Sequence, residues 1–179
     1  MVMTKKPLIF TIGHSTRSIE EFVELLDIYG VAEVVDVRSI PMSSHNPQFN
    51  KDDLRQSLKD KRIRYTHLKE LGGLRHSKKD STNLGWRNTS IRGFADYMAT
   101  PQFSDGLEAL MTISATRPTA IMCAEAVPWR CHRSLIADAL LKQGWLVRDI
   151  MSRTSATAHR LTPFLKVRKG QLVYPALER

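Results

Sequence analysis

Apolar residues fall into short continuous runs that alternate with stretches of helical period. Leu8 to Ile12 is a short apolar run ended by Gly13, which reads as a buried strand. Ser18 and Glu21 have capping-box spacing, in which the serine oxygen accepts from the third helical N–H and the glutamate reaches back. Ile19, Phe22, Val23, Leu26 and Tyr29 then share one helical face, and Gly30 stops the helix. Val31 to Val37 reads as a second strand. After a Pro-bearing loop, Asn50 opens a basic helix to about Lys61, and Ile63 to Thr66 is a third strand. Residues 72–90, with glycines at 72, 73 and 85, read as a long loop of the functional or mobile kind. Thr100 and Pro101 start another helix, with Leu107, Leu110 and Met111 as its stripe. Thr119 to Cys123 is a fourth strand. A last helix runs from near Cys131 to Gly144, burying Leu135, Ile136, Ala139 and Leu140. Trp145 to Arg148 is a fifth strand, and Gln171 to Tyr174 a short one in the tail.

Strands alternating with helices predict an α/β fold: one three-layer domain spanning 1–179, with a mostly parallel sheet of about five strands and helices on both faces. Its core lies at about 8–150, with a basic, insertion-like segment at 51–92 and a C-terminal tail at 151–179. In such sheets ligands bind beyond the carboxyl ends of the strands. That rule brings together Gly13-His14-Ser15, Asp36-Val37-Arg38 and the loop that follows Cys123.

Composition narrows the class further. A chain of 179 residues matches one domain and can bury a sizeable core. No apolar run approaches the roughly 18 residues of a membrane span, so no membrane partner is expected. Met1 to Pro7 lacks an apolar signal core, and two cysteines make no disulfide framework. A cytoplasmic location follows as the expectation. The net charge of +9 is uneven: residues 51–92 hold twelve Lys/Arg against five Asp/Glu, and residues 151–179 hold six against one. Such a block is either a solvated face or a surface for phosphates, nucleic acid being the obvious polyanion.

The chemistry concentrates between Cys123 and Arg133, which hold two thiols, Glu125, His132 and the guanidiniums of Arg130 and Arg133. Cys131, near a helix start among cationic neighbours, is the expected thiolate, whereas Cys123, ending an apolar strand, is expected to be inert. Arg38, Arg130 and Arg133, with Ser15, are candidates for a phosphate or carboxylate site. They are equally suited to pairing with Asp36 and Glu125 as structural latches. His14, at a strand-to-helix turn, is a candidate general base or a structural residue.

Known motifs are absent. There is no GxxxxGK[ST], no GxGxxG and no CxxC, and Cys123, Cys131 and His132 lack zinc-site spacing, so no cofactor and no metal are expected. Cys123 and Arg130 are seven apart, which departs from the six-residue step of a thiol phosphatase.

Together, Gly13-His14-Ser15, Asp36-Val37-Arg38 with Pro41, Leu71-Gly72-Gly73, and the pattern Cys123, Glu125, Pro128, Cys131-His132-Arg133 resemble the domain of unknown function family 488, over about Leu8 to Pro175. The resemblance implies a small cytoplasmic α/β domain with these segments as its signature, and it implies no activity. Ser44 stands where many relatives carry Arg; if that Arg serves an anion site, the site here is weaker or uses His45.

Three functions remain open. One is an enzyme acting on a phosphorylated or nucleotide-like substrate, with Arg38, Arg130 and Arg133 holding the anion, Cys131 or His132 reacting, and Glu125 orienting the imidazole. A second is a non-catalytic nucleic-acid-binding accessory protein using 51–92, helped by Tyr65 and Trp86. The third is a redox-sensing dithiol of Cys123 and Cys131. A deep pocket at the strand ends favours the first, basic residues on one flat face the second, and facing sulfurs the third. The oligomeric state does not follow from the sequence.

Overall fold

The computed structural model describes residues 5–177. Its elements in chain order are β1 (Leu8–Gly13), α1 (Ile19–Ile28), β2 (Glu33–Asp36), α2 (Lys51–Asp60), β3 (Arg64–His67), α3 (Thr89–Tyr97), α4 (Pro101–Thr116), β4 (Thr119–Cys123), α5 (Arg133–Lys142), β5 (Leu146–Ser152), β6 (Ser155–Ala158), β7 (Lys166–Arg168) and β8 (Gln171–Val173). Six strands form one sheet in the order β3-β2-β4-β1-β5-β6. The first five in that order are parallel, and β6 returns antiparallel along β5. β7 and β8 make a separate antiparallel hairpin.

Alternate strand residues feed two cores, as a pleated sheet covered on both faces requires. Phe10, Ile12, Val34, Ala120 and Met122 meet Phe22 and Leu26 of α1 and Leu54 and Leu58 of α2. Ile9, Val35, Ile121, Cys123 and Val147 meet α3, α4 and α5 through Phe94, Leu107, Leu110, Leu135 and Ile136. The three-layer α/β fold predicted from the pattern is therefore the fold observed. Among the described residues no helix is long and apolar enough to cross a membrane.

Three details depart from the sequence reading. The expected loop at 72–90 runs into α3, which the pattern did not show because Gly93 interrupts it. That glycine is required: a Cβ there would lie 2.3 Å from the Arg75 carbonyl oxygen. Asn88 caps the helix, accepting from the N–H groups of Ser90 and Ile91. The fifth strand extends to Ser152 and the tail supplies β6. The last helix begins at Arg133, two residues later than expected, with His132 at its N-cap.

The tail is fastened to α5 by one buried carboxylate. Asp138 accepts from His159 Nε2 (2.8 Å), from the Thr162 N–H and hydroxyl, and from the Tyr174 hydroxyl (2.8 Å). His159 also faces Asp149 through Nδ1 at 3.6 Å. Burial alone would lower the pKa of His159, but its two carboxylate partners outweigh that and raise it to about 9. A group raised in the folded state stabilises fully below its unfolded pKa and ceases to do so as pH rises through the folded one. The melting temperature should therefore fall between about pH 7 and 10, and His159→Gln should flatten that fall while costing about 1.5–3 kcal/mol at neutral pH. Thermal melts of both proteins across this range check it; parallel curves would contradict it.

Candidate functional site

β4 delivers the site. It lies beside β1, and past the ladder the His14 N–H donates to the Cys123 carbonyl and the Ser15 N–H to the Ala124 carbonyl, each at 2.9 Å. The chains run so close that a Cβ on Gly13 would sit 1.7 Å from the Glu125 carbonyl oxygen, so only glycine fits there. A single 3-10 turn, Pro128–Arg130, reverses the chain, and Cys131 returns in extended conformation (φ −141°, ψ 150°). This brings two free, buried thiols face to face, with Sγ atoms 2.7 Å apart.

Arg133 opens α5 with none of its surface exposed. Its Nη1 donates to Cys123 Sγ and to the Glu125 carbonyl, each at 3.1 Å, and Nη2 reaches the Ala126 carbonyl at 3.5 Å. Among the described residues no carboxylate lies within ion-pair distance of it. Its Nε has no partner. A guanidinium is always protonated in proteins, and a buried charge needs a counter-charge. Cys123 sulfur is the group placed to carry one.

The two thiols are driven apart accordingly. Burial pushes Cys123 up, but the hydrogen bond from Cys131 and the charge of Arg133 outweigh it, and the net shift is downward. Cys131 is pushed well up, first by its hydrogen bond to Cys123, then by burial and by the charge on that sulfur. The donation from Cys131 and the charge of Arg133 both favour the anionic form of Cys123 over that of Cys131, opposite to the order expected from the helix-start position. The physical reason is that Cys131 precedes the helix by two residues and the guanidinium reaches past it to the strand end.

His132 completes the chain of contacts. Its Nε2–H donates to the Val37 carbonyl (2.8 Å), which leaves Nδ1 unprotonated and 3.3 Å from Cys131 Sγ. Burial, with Arg133 nearby, drives its pKa down to about 4, so the ring is neutral at physiological pH. Phe94 packs edge-on at 4.9 Å, and a Cβ on Gly73 would meet Nδ1 at 2.5 Å. The role expected for Glu125, orienting the imidazole, falls instead to the Val37 carbonyl. The Glu125 carboxylate is exposed, and its backbone carbonyl is what holds Arg133.

Of the other candidates, Arg38 borders the same cavity but is held by other partners, and His14 and Ser15 are not among its lining residues. Arg38 binds Asp36 through Nε (2.9 Å) and Nη2 (2.7 Å), and Nη2 also donates to the Phe49 carbonyl. It acts as a latch on its own strand. His14 is buried, stacked on Phe49 at 4.4 Å, with Nδ1 2.8 Å from the Ser15 carbonyl. This second cluster faces the α1–α2 layer. Ser15 takes positive φ (48°) at the turn and is tied by its N–H to the loop. At the α5 start the Arg133 N–H points at Cys131 Sγ and the N–H groups of Ser134, Leu135 and Ile136 are bonded to backbone carbonyls.

A cavity of about 340 Å³ opens over the thiols, lined by Arg38, Ile40, Met42, Leu74, Cys123, Glu125, Arg130, Cys131 and His132 among others. Residues 51–92 are divided by the sheet: α2 packs on one face, whereas Leu71 and Ile91 belong to the core on the other. Within that stretch Arg75 lies over the Tyr97 ring and Arg92 binds the Trp86 carbonyl. The segment that carries the basic residues is thus split between the two sides of the sheet.

A family model described as Domain of unknown function DUF488 matches residues 18–140, more than half of the chain. The protein belongs to the DUF488 family. No curated protein and no solved structure matches it. The DUF488 match takes in Arg38, Gly73 and the whole dithiol loop, and leaves Gly13-His14-Ser15 outside.

Gly73 is the position that sequence inspection marked without a reason and geometry explains. Gly73→Ala must displace the His132 ring or the loop itself, at about 1–3 kcal/mol, the range for overpacking. Urea denaturation of the variant checks this, and unchanged stability would contradict the close packing.

Proposed function

We propose that this DUF488 protein is a dithiol–disulfide redox protein in which Cys123 attacks and Cys131 resolves. The observation that carries the reading is the pair of facing sulfurs beside a buried guanidinium that has no carboxylate partner. A thiolate is the nucleophilic form of cysteine, and a neighbouring arginine favours it. An electrophile of the form X–Y would lose Y to give Cys123–S–X. Cys131 would then attack the Cys123 sulfur, X would leave, and the two thiols would have surrendered two electrons to form one S–S bond. The Cys131 proton goes to the departing Y, which leaves as H–Y, and His132 Nδ1 lies 3.3 Å from the Cys131 sulfur as a hydrogen-bond acceptor. An external dithiol would restore the reduced pair through a mixed disulfide.

The phosphate-enzyme reading is weakened by where its three arginines go: Arg38 binds Asp36, Arg133 binds Cys123 and carbonyls, and Arg130 alone of the three is left for an anion. The basic segment on which the nucleic-acid reading rests is split between the two sides of the sheet.

Treatment of the purified protein with excess hydrogen peroxide, followed by intact mass and peptide mapping, tests the redox reading. The expected product has lost two hydrogen atoms and carries a Cys123–Cys131 disulfide that a dithiol reverses. In Cys131→Ser, oxidation should stop at a trappable sulfenic acid on Cys123. Two thiols that survive oxidant unchanged, or oxidation that begins at Cys131 in Cys123→Ser at the wild-type rate, would overturn it.

A further inference from the structure

The mouth of the dithiol cavity has an unusual composition. Ile40, Met42 and Leu74 line it, and they are 60%, 67% and 66% exposed. They come from two separate loops, one after β2 and one after β3, that converge on the thiols. Large apolar side chains left this open at the entrance of one cavity mark a binding surface more often than scattered singletons do. The floor is different: Cys123 is 2% exposed and Cys131 6%. A folded protein's surface cysteine would not reach that depth, whereas a small molecule or one extended side chain would. The volume, about 340 Å³, is at the lower end of small-ligand sites.

Charge narrows the occupant. Arg38 is neutralised by Asp36, Arg133 faces Cys123, and His132 is neutral. Glu125 and Arg130, both exposed at the rim, are opposite in sign. The cavity therefore has no net charge with which to select an ion.

Resting on the dithiol reading, we infer that the substrate is an uncharged, apolar-bodied molecule carrying a weak O–O or S–S bond, seated on Ile40, Met42 and Leu74 with that bond at Cys123. With an organic hydroperoxide, the Cys123 thiolate attacks the outer oxygen and the O–O bond breaks. The alkoxide takes the Cys131 proton and leaves as alcohol. The Cys131 thiolate then attacks the Cys123 sulfenic sulfur, and the hydroxide expelled is protonated by solvent. With an organic disulfide, Cys123 displaces one thiolate, which takes the Cys131 proton, and Cys131 displaces the second, which solvent protonates. In both cases an external dithiol is the reductant that closes the cycle.

The test is a rate comparison on the full chain. Disulfide formation is followed with hydrogen peroxide, cumene hydroperoxide and a neutral aromatic disulfide as oxidants, in the wild type, in Met42→Ser with Leu74→Ser, and in Ile28→Ser as a control on α1. The expected result is a preference of about tenfold or more for an apolar oxidant over hydrogen peroxide, the scale set by small differences in apolar contact. That ratio should collapse in the double variant and persist in the control. The oxidant showing the preference tells an O–O from an S–S substrate. Equal rates for all three oxidants, or a ratio the double variant leaves intact, would overturn the inference while leaving the dithiol reading standing. No disulfide with any oxidant would overturn both.

Discussion

A guanidinium with no exposed surface is costly unless the protein supplies compensating groups, because transferring an ion out of water carries a penalty of several kcal/mol even after relaxation. In this fold the compensation comes from the Glu125 and Ala126 carbonyls and one sulfur. The loop between β4 and α5 is built to deliver them. Gly13 lets the chain pass against β1, the 3-10 turn reverses it, and Cys131 closes it onto Cys123. The charge on Cys123 and the burial of Arg133 thus depend on each other: removing either leaves the other uncompensated. Loss of the guanidinium would raise the Cys123 pKa, and loss of the sulfur would leave a buried cation facing carbonyls alone.

The same interaction assigns the roles of its neighbours. With Cys123 ionised, Cys131 becomes the donor to it and holds its own proton more tightly. His132, locked by the Val37 carbonyl into the tautomer with a bare Nδ1, offers the Cys131 thiol a hydrogen-bond acceptor. The Val37 carbonyl comes from the end of β2, so the β2–β4 pairing sets the imidazole as firmly as the motif itself does. Next to this site, Asp36, Arg38, His14 and Phe49 form a set of contacts that fixes the neighbouring strand ends, with Arg38 also bordering the dithiol cavity.

Much of the fold was legible in the amino-acid pattern, since buried parallel strands are continuous apolar runs and α1 announces itself with a capping box. α3 was hidden by Gly93, whose role is contact with Arg75, and β6 by its short run of serine, alanine and threonine. At the site, proximity in sequence was a poor guide to partners. Arg133 is two residues from Cys131 but its side chain reaches Cys123, ten residues away. For Arg38 the sequence left an anion site and a latch on Asp36 both open, and Asp36, two residues earlier on an extended chain, shares its face and binds it. The Gly72–Gly73 pair was visible as a motif, but its reason, room for Ser39 and for the His132 ring, exists only in three dimensions.

The central claim is that the buried guanidinium makes Cys123, and not Cys131, the thiolate. Ultraviolet thiolate absorbance followed through a pH titration tests it most directly, in the wild type and in the two single cysteine-to-serine variants. The account predicts a one-thiolate step below the ordinary cysteine pKa of about 8.5, retained in Cys131→Ser and abolished in Cys123→Ser. A low step that survives in Cys123→Ser and disappears in Cys131→Ser would contradict it.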